Sequence, residues 1–399
     1  MGFSLIIPHM FHRLINPLLS NSFFLLGARG TGKTFFLNEH FSSDDCLRID
    51  LLREQEFLTL HSHPERLRQR IEATQPKLPS WVVIDEVQRV PALLNEVHSL
   101  IEDPQFRDRF KFVLTGSSAR KLKRKGINLL AGRALLNYLY PLTHIELGTD
   151  FDLASALHWG SLPRVVSATA EVEKIELLEA YVGTYIKEEI RVEQAVRNLD
   201  PFLRFLEVAA QMSGEYLNYS AIGRDCRVDP RMVERYYQIL EETLIGFFLE
   251  PFHRSIRKRQ LGRPKFYFFD LGVVSSLRGV LGQVATAHTS LFGKLFEHFI
   301  VLELHRLNSY FRKRWKMSYY ATHDGAELDL LLEVPGKDLI AIEIKSGSSV
   351  SEVDITKFAT FSRDIEATEA IVLCQEPYER MVDGVRVMPW SEGIQYLLG

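Results

Sequence analysis

Lys33 and Thr34 close the eight-residue run Gly27-Ala28-Arg29-Gly30-Thr31-Gly32-Lys33-Thr34, in which glycines, a lysine and a hydroxyl fall at the spacing GxxxxGK[ST]. Such a run suits phosphate. Its glycines let backbone N–H groups curl around the oxygens, the lysine reaches the outer phosphates, and the threonine hydroxyl ligates Mg²⁺. A second pair completes this chemistry. Asp85-Glu86 ends the apolar run Trp81-Val82-Val83-Ile84, where a nucleotide hydrolase needs one carboxylate for its metal and one for water. The residues therefore point to ATP or a close relative: Gly27 to Thr34 and Asp85 would hold the nucleotide, Thr34 and Asp85 the Mg²⁺, and Glu86 the attacking water. Thr115, in Thr115-Gly116-Ser117-Ser118, ends another apolar run; its hydroxyl would reach the γ-phosphate or that water, or else only shape a turn.

A third set of reactive residues lies in Glu327-Leu328-Asp329-Leu330-Leu331-Leu332 and Ile340-Ala341-Ile342-Glu343-Ile344-Lys345. Strand side chains alternate faces, so Leu328, Leu330 and Leu332 share one face and Ile340, Ile342 and Ile344 share one on the next strand. Pro335-Gly336-Lys337-Asp338 supplies a turn between them. Pairing apolar with apolar sets Leu330 opposite Ile342, hence Asp329 across from Glu343 and Glu327 across from Lys345. Two carboxylates about 5 Å apart at Cβ could hold Mg²⁺ with Glu297 of the preceding helix, and the lysine could orient water. The same residues also suit a half-exposed hairpin whose acids and lysine only pair across strands.

These sets need elements to position them. The first 150 residues alternate apolar runs (22–26, 46–51, 81–85, 111–115, 135–140) with helical patterns, which predicts a parallel sheet wrapped by helices with its ligand at the strands' carboxyl ends. Residues 149–200 read as a helical lid or connector, with Ile175, Leu178, Tyr181, Val182 and Tyr185 as its apolar stripe. In 201–275, Asp229-Pro230 caps a helix running to about Glu242, with Val233, Tyr236, Tyr237 and Leu240 inward and Arg231, Arg235 and Gln238 outward. Two apolar runs, 247–250 and 266–269, follow, joined by a tip carrying Arg254, Arg257, Lys258, Arg259 and Arg263. That is the plan of a winged helix, in which Arg231, Arg235 and the five tip cations would contact nucleic acid. Residues 285–399 form a mixed α/β segment.

Composition bounds the rest. Apolar content of 46% with 25% charged residues is ordinary for globular domains, and 399 residues suffice for two or three of them. Cys46, Cys226 and Cys374 lie far apart with no CxxC pair, which argues against a disulfide framework and a Cys zinc site and fits a reducing, cytoplasmic setting. No run is apolar enough to span a membrane. Net charge is −3, but the basic residues cluster. Besides the wing, the clusters are Arg120-Lys121-Lys123-Arg124-Lys125 and Arg306, Arg312, Lys313, Arg314 and Lys316 among Tyr310, Phe311 and Trp315. Clusters of this kind fit polyanion contact with weak sequence preference.

Taken together, the chain resembles bacterial and archaeal AAA-type P-loop ATPases fused to a C-terminal domain of unknown function of the PD-(D/E)XK nuclease clan. The resemblance rests on Gly27 to Thr34, Ile84-Asp85-Glu86-Val87-Gln88, Leu114 to Ser118, Leu130-Ala131-Gly132-Arg133, Pro264 to Asp270, Gly293 to Glu297, and Asp329 with Glu343-Ile344-Lys345. It implies an α/β architecture: a P-loop ATPase core at 1–148, the helical lid, the winged-helix segment, and a nuclease-like domain at 285–399. It also implies Arg133 as a finger acting on a neighbour's nucleotide, and hence a homo-oligomer, in the form of a ring or otherwise. Asp329, Glu343 and Lys345 would cut nucleic acid, with DNA the first candidate. The alternative is an ATP-driven switch or scaffold whose nuclease-like domain binds without cutting.

Overall fold

An unbroken apolar run makes a strand only where both faces are covered, and β1 (Ser22–Leu26) is buried at every position. In the computed structural model it lies inside a sheet with β2 (Cys46–Asp50), β3 (Trp81–Asp85), β4 (Lys111–Gly116) and β5 (Ala134–Tyr138). The order is β2-β3-β4-β1-β5, parallel throughout, as the alternation of runs predicts. Helices α1 (Lys33–His40), α2 (Glu54–Ser62), α3 (Arg66–Glu72) and α4 (Leu93–Glu102) connect the strands. The α4 stripe Leu93, Leu94, Val97 and Leu100 is buried in a core shared with Phe24, Ile84, Phe112 and Leu114. This order sets the carboxyl ends of β1, β4 and β3 side by side, which places the three phosphate-directed segments at one edge of the sheet.

The structure describes residues 11–41, 45–74, 77, 79–118, 130, 132–186, 199–253, 262–287, 289–322, 325–336 and 339–399. They fall into two units: residues 11–142 with Ile239–Ile245, and residues 143–186, 199–238 and 246–399.

The second unit begins with α5 (His144–Leu147), α6 (Leu153–Trp159), α7 (Pro163–Ser167) and α8 (Glu171–Ala180), so the connector is helical as expected. Leu178 and Tyr181 are buried and Ile175 and Val182 half-buried; the Tyr185 side chain lies outside the described residues. Next come α9 (Leu199–Gln211), α10 (Tyr219–Cys226) and α11 (Pro230–Glu242). Asp229 Oδ1 accepts the Arg231 N–H at 2.8 Å, so the predicted cap forms, and Val233, Tyr236, Tyr237 and Leu240 are all buried. The strands β6 (Gly246–Pro251) and β7 (Lys265–Phe268) then pair antiparallel. Of the tip, Arg254, Arg257, Lys258 and Arg259 lie outside the described residues, as do Arg120, Lys121, Lys123, Arg124 and Lys125 of the other cluster.

After α12 (Leu271–Leu277) and α13 (Ser290–Tyr310) come β8 (Lys316–Ala321), β9 (Glu327–Glu333) and β10 (Leu339–Ile344). Then follow α14 (Glu352–Asp364), β11 (Glu369–Cys374), β12 (Arg380–Val382), β13 (Val385–Pro389) and α15 (Trp390–Leu398). One feature differs from a separate winged-helix layer. β6 pairs in parallel with β8 through Glu250–Ser318 and Pro251–Tyr319, so the hairpin joins the later strands in one sheet, β12-β13-β11-β10-β9-β8-β6-β7. Among the described residues no helix is long and apolar enough to cross a membrane.

Candidate functional site

The turn after β1 is dictated by sterics. A Cβ on Gly27 would sit 2.3 Å from the Leu139 carbonyl oxygen, so only glycine lets the chain leave the strand here. Gly32 holds φ +98° at the start of α1, a left-handed conformation that frees the first helical N–H groups toward the loop. Thr31 closes the loop on itself, its hydroxyl donating to the Ala28 carbonyl at 2.9 Å. Lys33 is buried, its Nζ donating to Gly27 O at 2.7 Å and Ala28 O at 3.2 Å. The ammonium thus lies inside the curl a phosphate would fill. Arg29 is exposed.

Asp85 and its neighbours converge on the same edge. Thr34 Oγ1 lies 3.2 Å from Asp85 Oδ2, and the other carboxylate oxygen takes a short bond from the Thr115 hydroxyl. Thr115 Oγ1 also accepts the Glu86 N–H at 3.0 Å. Thr115 therefore positions both acids from β4, in addition to whatever it offers a phosphate. Glu86 has φ +59°, strained for a non-glycine residue, and its carboxylate is held by Gln88 Nε2 and, at 3.5 Å, by the Ser117 hydroxyl. Thr34 and Asp85 together form a hard-oxygen pair that fits Mg²⁺.

Arg13 is the residue that sequence reasoning missed here. It is buried, and its guanidinium donates to Thr31 O at 2.7 Å and Tyr140 O at 2.6 Å, bracing the phosphate loop against the segment after β5. No local pattern marks it; only the fold brings it behind the loop. Arg133 is ion-paired with Glu102 through Nε.

In the second unit the hairpin register is as predicted: Ile342 pairs with Leu330, with Ile340–Leu332 and Ala341–Leu331 in step. Asp329 Oδ2 accepts the Ile344 N–H at 2.7 Å, and Lys345 Nζ donates to Glu343 Oε1 at 2.6 Å. Glu297, from α13, accepts the Tyr267 hydroxyl at 2.9 Å and stands 3.7 Å from Lys265 Nζ, which also pairs with Glu327 at 2.5 Å. Burial raises the Asp329 carboxyl to about 7, with the Glu343 charge adding to the shift. Burial likewise raises Glu297 to about 7, with Asp329 the next contributor, and it raises Glu343 against the pull of Lys345. These acids crowd one another. The expected metal trio does not form as a set, however: among the described residues no group of three His, Cys, Asp or Glu side chains is arranged to hold an ion. Glu297 and Glu343 each face a lysine instead. Lys265 and Tyr267 are functional neighbours that no sequence motif marks; their period-two spacing on β7 is the one local signal that both side chains share a face.

Of the nucleic-acid candidates, Arg231 and Arg263 are exposed and Arg235 is half-buried, its Nη1 donating to Gln238 at 3.1 Å. Arg306 is a correction. It is buried, bonded to Ser161 Oγ at 2.9 Å and Phe269 O at 2.8 Å, because α13 is enclosed around most of its circumference. Beside it, Lys316 pairs with Glu333 at 3.3 Å and Trp315 is buried. The three cysteines are free thiols.

Residues 20–148 match a family described as AAA domain, 150–283 a domain of unknown function (DUF8612), and 292–392 a domain of unknown function (DUF4143). Uncharacterized protein Rv2008c of Mycobacterium tuberculosis is 27% identical over 281 residues, covering 69% of this chain and 60% of the relative. The chain thus spans about three fifths of that relative's length. Uncharacterized protein MJ1544 of Methanocaldococcus jannaschii is 20% identical over 370 residues, 86% of this chain and 79% of the relative. Among solved structures, Aeropyrum pernix Orc1 in complex with DNA has a TM-score of 0.32 at 14% identity, covering 65% of this chain and 86% of that one. Replication initiator DnaA bound to AMPPCP and single-stranded DNA has a TM-score of 0.29 at 14% identity, covering 57% and 84%. At these scores the likenesses place nothing on this chain. The stretch that matches the AAA domain family carries the phosphate loop and the paired acids described above.

Proposed function

We propose that the chain is an ATP-dependent enzyme acting on DNA. Lys33 and Thr34 hold the triphosphate, Asp85 completes the seat for Mg²⁺, and Glu86 takes the proton of the attacking water, its backbone held by Thr115. Mg²⁺, when bound, neutralises phosphoryl charge. Arg231 and Arg263, with the hairpin tip, hold the DNA backbone, and Asp329, Glu343 and Lys345 act on a phosphodiester. The observation that carries the second half is the β9–β10 pairing of Leu330 with Ile342, beyond which Asp329 and Glu343 are the next residues, with Lys345 bonded to Glu343. Their oxygens suit a divalent ion, and the raised affinity of both acids for protons marks a place where a cation is favoured.

The test is incubation of the full chain with plasmid and linear DNA, Mg²⁺ and ATP, beside an Asp329→Ala/Glu343→Ala variant. Cleavage by the first and not the second supports the reading; equal cleavage, or none, removes its nuclease half. DNA affinity should fall with salt at a log–log slope of roughly −4.

A second reading, an ATP-driven homo-oligomeric switch whose C-terminal sheet binds without cutting, draws on the lysine pairing of Glu297 and Glu343. ATP-dependent assembly without strand cleavage would favour it.

A further inference from the structure

Lys265 is a buried cation that neither half of the proposed chemistry uses. It enters from the first position of β7, and its side chain is only 5% exposed. Its Nζ lies 2.5 Å from Glu327 on β9 and 3.7 Å from Glu297 on α13. The rings of Tyr216 and Tyr319 cover it, with centroids 5.3 and 5.5 Å away. Burying an ammonium is costly unless it is paired. Burial opposes its charge, yet Glu297 and Glu327 hold its affinity for a proton above the usual lysine range. The ammonium is therefore matched to these two acids.

The charges around it divide cleanly. Four carboxylates, Glu297, Glu327, Asp329 and Glu343, share this place with two ammoniums, Lys265 and Lys345, so once all four acids are ionised two negative charges are left over. Lys265 serves the Glu297 and Glu327 side, Lys345 bonds Glu343, and no lysine bonds Asp329 directly among the contacts of the described residues. The remaining charge is that of one divalent ion.

We propose that Lys265 is a tethered cation that fills the Glu297–Glu327 side of the acidic site, leaving Asp329 and Glu343 to take a single divalent ion. This rests on the metal-binding reading of Asp329 and Glu343 above. Glu297, which the sequence offers as a metal ligand, is then a partner of Lys265. The hairpin thereby contributes a residue to the acidic site on β9 and β10, and removal of Lys265 opens a place for a second ion.

The test uses the full, nucleotide-free chain, with melting followed in EDTA and in MnCl₂. Methionine at position 265 keeps a long side chain under the two tyrosine rings and removes only the charge. Lys265→Met should melt at least ~3 °C below wild type in EDTA. Mn²⁺ should raise it more than it raises wild type, and Lys265→Met/Glu327→Gln, in which the charge balance is restored, should regain most of the loss without metal. A deficit that neither Mn²⁺ nor Glu327→Gln relieves overturns the proposal, since the lysine would then be a packing residue. Should Lys265→Met fail to fold, the double variant decides: a cooperative melt supports the proposal, and failure to fold overturns it. Cleavage is read separately. Wild type that does not cut DNA sinks the nuclease reading while these melting shifts still stand, and wild type that cuts while the shifts are missing sinks only Lys265's role.

Discussion

Asp329→Asn should make the second unit more stable at alkaline pH, and the structure sets how much. The carboxyl is raised from 3.8 to about 7, by burial first and by Glu343 second. An acid whose folded value exceeds its unfolded one keeps the proton longer in the native state, so stability falls as pH rises from about 4 to about 7 and then levels. Three units at ~1.36 kcal/mol each bound the effect at about 4 kcal/mol. Asp329 is only half-buried and shares its charge with Glu343, so we expect about half of that, ~2 kcal/mol, at pH 8. At pH 5 the wild-type carboxyl is already neutral when folded, and the gap should shrink to below ~1 kcal/mol. Asparagine can still accept the Ile344 N–H, so the hairpin keeps its bond. Hydrogen exchange of a peptide covering residues 327–344, read in EDTA at both pH values and corrected for intrinsic rates, measures the difference. A variant no more stable than wild type at pH 8, or a gap unchanged at pH 5, would refute the assignment of strain to this carboxylate.

Three further outcomes follow from the first unit. Glu86→Gln should bind ATP as wild type does while hydrolysis falls ~10²–10⁴-fold, checked by calorimetry and phosphate release. Arg13→Ala removes two bonds to the Thr31 and Tyr140 carbonyls and leaves the loop unbraced; the KM for ATP should rise ~10-fold with kcat little changed. Gly27→Ala forces a Cβ to within 2.3 Å of Leu139 O, so melting should drop and ATP should no longer stabilise the chain.

Much of this architecture is legible along the chain because it is local. Glycine at the end of β1, a proline after Asp229, and alternation along β9 and β10 each act on near neighbours through backbone sterics, capping and side-chain parity. The Leu330–Ile342 register agrees with parity and the short turn at Pro335-Gly336, since a one-residue slip would set Leu328, Leu330 and Leu332 against the polar positions of β10. The basic segments were less readable. A run of cations has the same composition whether it faces solvent or is enclosed, and Arg306 proves to be held in the core by Ser161 and Phe269.

The phosphate loop, its paired acids, the five parallel strands and the Leu330–Ile342 pairing of β9 with β10 were thus determined by the amino-acid order itself, through rules that span a few residues at a time. Tertiary structure alone decided that Arg13 stands behind the loop, that β6 joins β8, and that Lys265 reaches Glu327 across 62 positions of sequence. These are contacts between segments whose spacing along the chain carries no periodic signal. Each forms because a buried guanidinium, ammonium or strand edge must find partners, and only the packed fold determines which partners are within reach.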